Sequence, residues 1–182
     1  MSNLRLLNES SGTGVTTLSV TDVFTSDFDI YKIKITCASA LEQETDLRFI
    51  NSSGTILTAS NYDYGQLYLR SYASDTEIRS TSDTDIRLVV GDEDSFGGTA
   101  IIYVFNPTNI SSYTFVLHQG SLAIDLNNNN TVSFASNKGI GLLHEFTSIT
   151  GFHLKNNNAS ASVDYTATTY GLRVDSWWDY HK

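Results

Sequence analysis

Four histidines, His118, His144, His153 and His181, stand singly along the chain. No His-x-His or His-Glu-x-x-His spacing brings two imidazoles onto one local surface, as a zinc site needs. The one cysteine, Cys37, falls on the same alternating face as Tyr31, Ile33 and Ile35. A thiol there acts as a small hydrophobe with a raised pKa, and a single thiol forms no internal disulfide. Gly-x-Ser-x-Gly elbows, phosphate-cradling glycine loops and dinucleotide fingerprints are missing from the sequence. An enzyme would need a site assembled from distant loops. The expectation is no catalytic residue, no metal and no cofactor.

Carboxylates are the strongest remaining source of ion chemistry. Asp92, Glu93 and Asp94 cluster after Gly91, Asp83 lies near Asp85, and Asp22 lies near Asp27 and Asp29. Calcium takes six to eight oxygens, which such loops supply in part, but a twelve-residue calcium loop also needs a glycine at its turn and a closing Glu, and neither is present. A solvated hairpin tip is the simpler reading. A pair drawn from Asp83, Asp85, Asp92 and Glu93 would serve as acid and base only if the chain were a glycan depolymerase. Aromatic residues offer a different chemistry, since sugars stack on rings. Tyr62, Tyr64, Asp92, Glu93 and Asp94 are the candidate ligand-facing residues.

The run Asp175-Ser176-Trp177-Trp178-Asp179-Tyr180-His181-Lys182 places both tryptophans in what should be a polar tail. Something must cover these rings: their own domain, a neighbouring subunit, where Trp and Tyr dominate hot spots, or a sugar. Trp177, Trp178 and Tyr180, with Leu4, Leu6 and Leu7 at the other end, are the candidate docking and interface residues. Leu4 to Leu7 reads either as a docking arm ahead of a Ser10 to Gly14 hinge or as a first edge strand. The Asn-x-Ser/Thr tripeptides starting at Asn8, Asn51, Asn109, Asn129 and Asn158 occur about as often as this composition yields.

Period-2 alternation supplies the elements that must hold these residues. It is clearest over 28–37, where Lys32, Lys34 and Thr36 oppose Tyr31, Ile33, Ile35 and Cys37. Strands are also expected at 46–50, at 66–71 with Leu67 and Leu69 on one face, at 85–90, and at 112–118 with Tyr113, Phe115 and Leu117 in register. The run 99–105 is apolar on both faces and stops at Asn106-Pro107, which predicts a central strand covered on two sides. Weaker candidates follow at 121–126, 131–135, 149–154 and 165–174. Turn chemistry separates them at 51–54, 80–83, 91–94 and 127–130. Gly139 and Gly141 argue against helix over 141–146.

These short strands predict an all-β fold, an antiparallel β-sandwich of jelly-roll type with little or no helix. A length of 182 residues suits one such domain. The expected divisions are an N-terminal arm or edge strand at 1–14, the sandwich at 15–174 and an aromatic tail at 175–182. Ser, Thr and Asn make up about a third of the chain, and the formal charge is -9. Such charge repels phosphate backbones and anionic lipid, so nucleic acid and membrane insertion are not expected. The N-terminus has no apolar stretch of a secretory leader, and no later run is apolar enough for a spanning helix. Synthesis and solubility in a cytoplasm are the expectation.

The succession Phe28-Asp29-Ile30-Tyr31-Lys32-Ile33, Leu47-Arg48-Phe49, Tyr62-Asp63-Tyr64, Ile102-Tyr103-Val104-Phe105-Asn106-Pro107, Ile149-Thr150-Gly151-Phe152 and Thr169-Tyr170-Gly171-Leu172 resembles virion structural proteins of marine tailed phages, over roughly residues 15 to 174. The motifs are structural and bring no catalytic residue. The resemblance implies a location on the virion after synthesis in the host cytoplasm. It implies a homotrimer that contacts other virion proteins such as the major capsid protein. The long N-terminal shaft of a fibre of this type is not seen here. Capsid decoration or cementing is therefore the leading expectation, and a tail-fibre module recognising host surface glycans is the alternative.

Overall fold

The computed structural model describes residues 4–39, 44–88, 97–125, 132–158 and 161–173. Alternation of apolar and polar side chains governs nearly all of it. Among these residues the chain forms twelve strands and no helix. They are β1 (Leu4–Val15), β2 (Thr17–Val20), β3 (Ile30–Ser39), β4 (Thr45–Asn51), β5 (Tyr62–Arg70) and β6 (Thr76–Asp83), followed by β7 (Ile86–Leu88), β8 (Gly98–Phe105), β9 (Thr114–Asp125), β10 (Val132–Leu143), β11 (Ile149–Asn156) and β12 (Val163–Leu172).

Every pairing is antiparallel, in an eight-stranded sheet ordered β1-β12-β3-β8-β9-β10-β5-β6 and a four-stranded sheet ordered β2-β11-β4-β7. One buried cluster joins the inner faces of both, with Tyr31, Ile33 and Val104 from the large sheet against Phe49, Leu88 and Phe152 from the small one. The fold is a β-sandwich. Tyrosines also tie the layers with polar bonds. The Phe49 amide donates to the Tyr62 hydroxyl at 3.0 Å, and that hydroxyl donates to the Leu57 carbonyl at 3.2 Å. Thr45 and Tyr165 share a hydrogen bond of 3.1 Å.

The strand expected at 28–37 is β3, with Tyr31, Ile33, Ile35 and Cys37 all buried. Burial pushes the Cys37 thiol up to about 12. Several expectations need correction. The segment 10–14 is no hinge, because β1 runs through it beside β12, with register shifts between Leu6 and Asn8 and between Gly12 and Val15. The turn expected at 80–83 is the end of β6, where Ser82 takes a positive φ of 59°. The segments 112–118 and 121–126 are one strand up to Asp125, and 131–135 is continuous with 136–143 from Val132 onward. The turn expected at 127–130 lies outside the described residues, as do residues 91–94.

The most instructive correction concerns which face is buried. Leu67 and Leu69 on β5, and Phe115 and Leu117 on β9, are exposed, while Tyr62, Tyr64, Val116 and His118 point into the sandwich. On β8, Ala100, Ile102 and Val104 are buried but Ile101 is exposed, so this central strand is covered on one side only.

Candidate functional site

The outward side chains of β8, β9, β10 and β5 fall in register across the large sheet. Ile101 stands opposite Gln119, Tyr103 opposite Leu117, Leu117 opposite Ile140, and Lys138 opposite Leu67. Ile140 is 60% exposed, Leu117 46% and Leu67 44%. These residues floor a hollow of about 810 Å³. Lys34 on β3 and Glu77 on β6 line the same hollow, although five strand spacings of roughly 4.8 Å would separate them on a flat sheet. The sheet therefore curls, with its outer face concave. An adjoining hollow of about 850 Å³ shares Leu117, Ile140 and Arg79 and reaches Phe105, Phe115 and Leu142.

Behind this floor, on the inner side of β9, β10 and β5, lies a buried polar trio. Asn137 Nδ2 donates to Gln66 Oε1 at 2.7 Å and lies 3.3 Å from His118 Nδ1. Burial holds the His118 imidazole neutral, its pKa down at about 4. Gly139 makes room for the ring, because a Cβ there would overlap His118 Nε2 and the Gln66 Cβ. The trio lies on the inner side of the sheet, and two of its members, His118 and Gln66, also border the hollow.

The outer face of the small sheet has the opposite character. Arg48 pairs with Asp85 at 3.0 Å, and Lys155 reaches both Asp46 at 3.3 Å and Asp85 at 3.5 Å. Arg48 also bonds the Thr84 carbonyl and hydroxyl, Arg87 pairs with Glu44 at 3.0 Å, and Ser19 Oγ lies 2.8 Å from His153 Nδ1. Asp46 is raised to about 6, first by burial and then by the charge of Asp85, with Lys155 opposing both. His153 is lowered by burial and by Arg48 and Lys155. Asp85, considered above as half of an acid and base pair, is held between two cations.

A third surface feature lies at one end of the sandwich. The rings of Tyr113 and Phe146 stack at 4.6 Å with 7° between planes. The Phe146 side chain is 61% exposed. His144 lies beside Tyr113 and approaches Asp63 at 2.9 Å.

The ligand-facing expectation is overturned for Tyr62, which is fully buried, while Tyr64 is also buried but borders the second hollow. Two hydrogen bonds make Tyr62 a cross-sheet tie, and burial pushes its hydroxyl pKa up against the opposing pull of the Phe49 amide. Leu4 and Leu6 are exposed on the edge strand β1, whereas Leu7 packs partly against the core. Asp92, Glu93, Asp94, Trp177, Trp178 and Tyr180 lie outside the described residues. Among the described residues no three His, Cys, Asp or Glu side chains converge as a metal site would require. Neither the concave apolar face nor the Tyr113–Phe146 stack was singled out from the sequence. A signal for the first was present in Ile101, Leu117 and Leu67, taken in the sequence as strand residues of the buried faces, whereas Ile140 fell in a stretch given no strand. No protein-family model matches the chain, and no curated protein matches it.

Proposed function

We propose that this chain is a non-enzymatic structural protein on the exterior of a bacteriophage particle, a decoration or cement protein of the head. The observation that carries the reading is the concave apolar face of the eight-stranded sheet. Isolated soluble domains rarely leave a contiguous apolar patch of more than a few hundred Å² open to water, and such a patch marks a contact surface. The strand order supports the setting. Without the pairs β5–β6 and β9–β10, the sheets reduce to β1-β12-β3-β8 facing β2-β11-β4-β7, the double-sheet arrangement of a jelly roll, a fold used in viral capsids. The resemblance to virion structural proteins of marine tailed phages points the same way. On this reading the chain works as a homotrimer with the major capsid protein as neighbour.

Imaging of intact particles labelled for this chain, with copy counting, tests the proposal. Many copies distributed over the head are expected. A handful confined to the tail would overturn it. The Tyr113–Phe146 stack, with Asp63 and His144 beside it, favours a second reading as a tail module that binds host surface glycans. That reading requires glycan-array binding that Phe146→Ala abolishes, and an array with no signal removes it.

A further inference from the structure

Two features of the chain each need what the other provides. The hollow leaves Leu117, Ile140 and Leu67 open to water. The segment after β12 carries Trp177, Trp178 and Tyr180, and these two tryptophans are the only ones in the sequence. An open apolar concavity and large open rings are both costly in water, and each ring that is covered withdraws about 150 to 250 Å² from it.

Position brings the two together. β12 ends at Leu172, which lies in one row across the sheet with Ile30, Phe105, Phe115 and Leu142. Phe105, Phe115 and Leu142 line the second hollow, so the chain leaves β12 level with that end of the concavity. On a flat sheet Leu117 would stand three strands over and two residues along from Leu172, about 16 Å away, and Ile140 one strand further, about 20 Å away. The curl of the sheet shortens both paths. An extended chain covers about 17 Å from Leu172 to Trp177 and about 20 Å to Trp178.

We infer that residues 174–182 form a strap across the outer face of their own large sheet, with Trp177 and Trp178 seated on Leu117 and Ile140 and with Asp179 beside Arg79 and Lys138. Charge selects this occupant. The hollow is lined by Lys34, Arg79 and Lys138 against Glu77 alone, an excess of cations on a chain whose formal charge is -9. None of the three cations enters an ion pair among the described residues. The strap carries Asp175 and Asp179 on either side of its tryptophans, so acid meets base at both ends of the aromatic pair. A foreign segment of the same pattern competes with one already tethered, whose effective concentration is on the order of millimolar. The strap adds to the structural reading above, on which only its release rests: in the free chain it keeps the docking face from water, and a virion neighbour takes its place.

Tryptophan fluorescence tests the strap, because Trp177 and Trp178 are the sole indoles. In the native full chain, emission is expected to the blue of free indole, with an acrylamide quenching constant several-fold below that of the urea-unfolded chain. Leu117→Glu and Ile140→Glu, both at exposed positions, are each expected to raise quenching to near the unfolded value while the far-ultraviolet spectrum stays as in wild type. Leu69→Glu, exposed on the same face but outside the lining of the hollow, is expected to quench as wild type does. A mixture separates the chain's own hollow from a neighbour's. The full chain with Trp177→Ser and Trp178→Ser is silent in this measurement and keeps its hollow. Added in equal amount to Leu117→Glu, well below millimolar concentration, it is expected to leave quenching high. Water-exposed indole in wild type, protection that survives Leu117→Glu and Ile140→Glu, equal loss with Leu69→Glu, or protection regained in the mixture would overturn the strap. Those outcomes leave the virion setting untouched, while a location on the phage tail would reverse that setting and leave the strap standing.

Discussion

The outer faces of the two sheets are built on the same antiparallel alternation, yet one closes its chemistry on itself and the other leaves it open. On the small sheet, Arg48, Asp85, Lys155 and Asp46 form a linked set of ion pairs. On the large sheet, Leu117, Ile140 and Leu67 stay exposed, and among the described residues no apolar layer lies above them. The difference separates two tasks. The charged face fixes the edge of the fold and has little left to offer a partner. The apolar face contributes little to folding and is available for contact.

The sharpest way to break this contrast is to remove a cation from the closed face. Arg48→Ala leaves Asp85 partly buried with the Thr84 hydroxyl and Lys155, at 3.5 Å, as the one remaining cation beside it, and is expected to lower unfolding stability in urea by about 3 kcal/mol. A loss below about 0.5 kcal/mol would mean that the network is ordinary surface pairing.

An effect bounded at that size, and of definite sign, comes from Asp46. Its folded pKa, about 6 against an ordinary 3.8, means that the native chain holds a proton which the unfolded chain releases. Its contribution to stability therefore falls as pH rises from about 4 to 6, by up to about 3 kcal/mol. His118 opposes it. With a folded pKa of about 4 against 6.5, it removes stability as pH falls through that range. The informative quantity is thus the difference between Asp46→Asn and wild type. The variant is expected to gain on wild type as pH rises from 4 to 6.5, and a difference independent of pH would contradict the assignment.

The smallest effect belongs to the open face. Leu67→Ser, placed in single copies carrying Leu117→Glu, is expected to change unfolding stability by less than about 0.5 kcal/mol. A loss of several kcal/mol would show that the face belongs to the fold of one copy after all.

The same contrast explains what the sequence made legible. On β3 the alternation sets Ile and Tyr against Lys and Thr, so one face is plainly the inside. On β5 and β9 both faces carry apolar weight. The inner sets are Tyr62, Tyr64 and Gln66, and Thr114, Val116 and His118, whereas the outer sets are leucine-rich. Hydrophobicity therefore selects the wrong face, and the two-residue period carries the error through the whole strand. Tyr62 was read as ligand-facing because its bonds to Phe49 and Leu57 cannot be seen in a linear pattern. The ion network escaped notice for a related reason. Its members come from 46–48, 85 and 155, and only the pairing of β4 with β7 and β11 brings them onto one surface.

Hydroxyl-radical footprinting of the wild-type protein in solution tests the central claim most directly. If the concave face is an assembly surface, Leu67, Leu117 and Ile140 are oxidised far more slowly, for their exposure in a single copy, than the open aliphatic Ile110 (65% exposed), and Leu117→Glu restores labelling at Leu67 and Ile140. Labelling of all four in proportion to their exposure in a single copy would contradict the account.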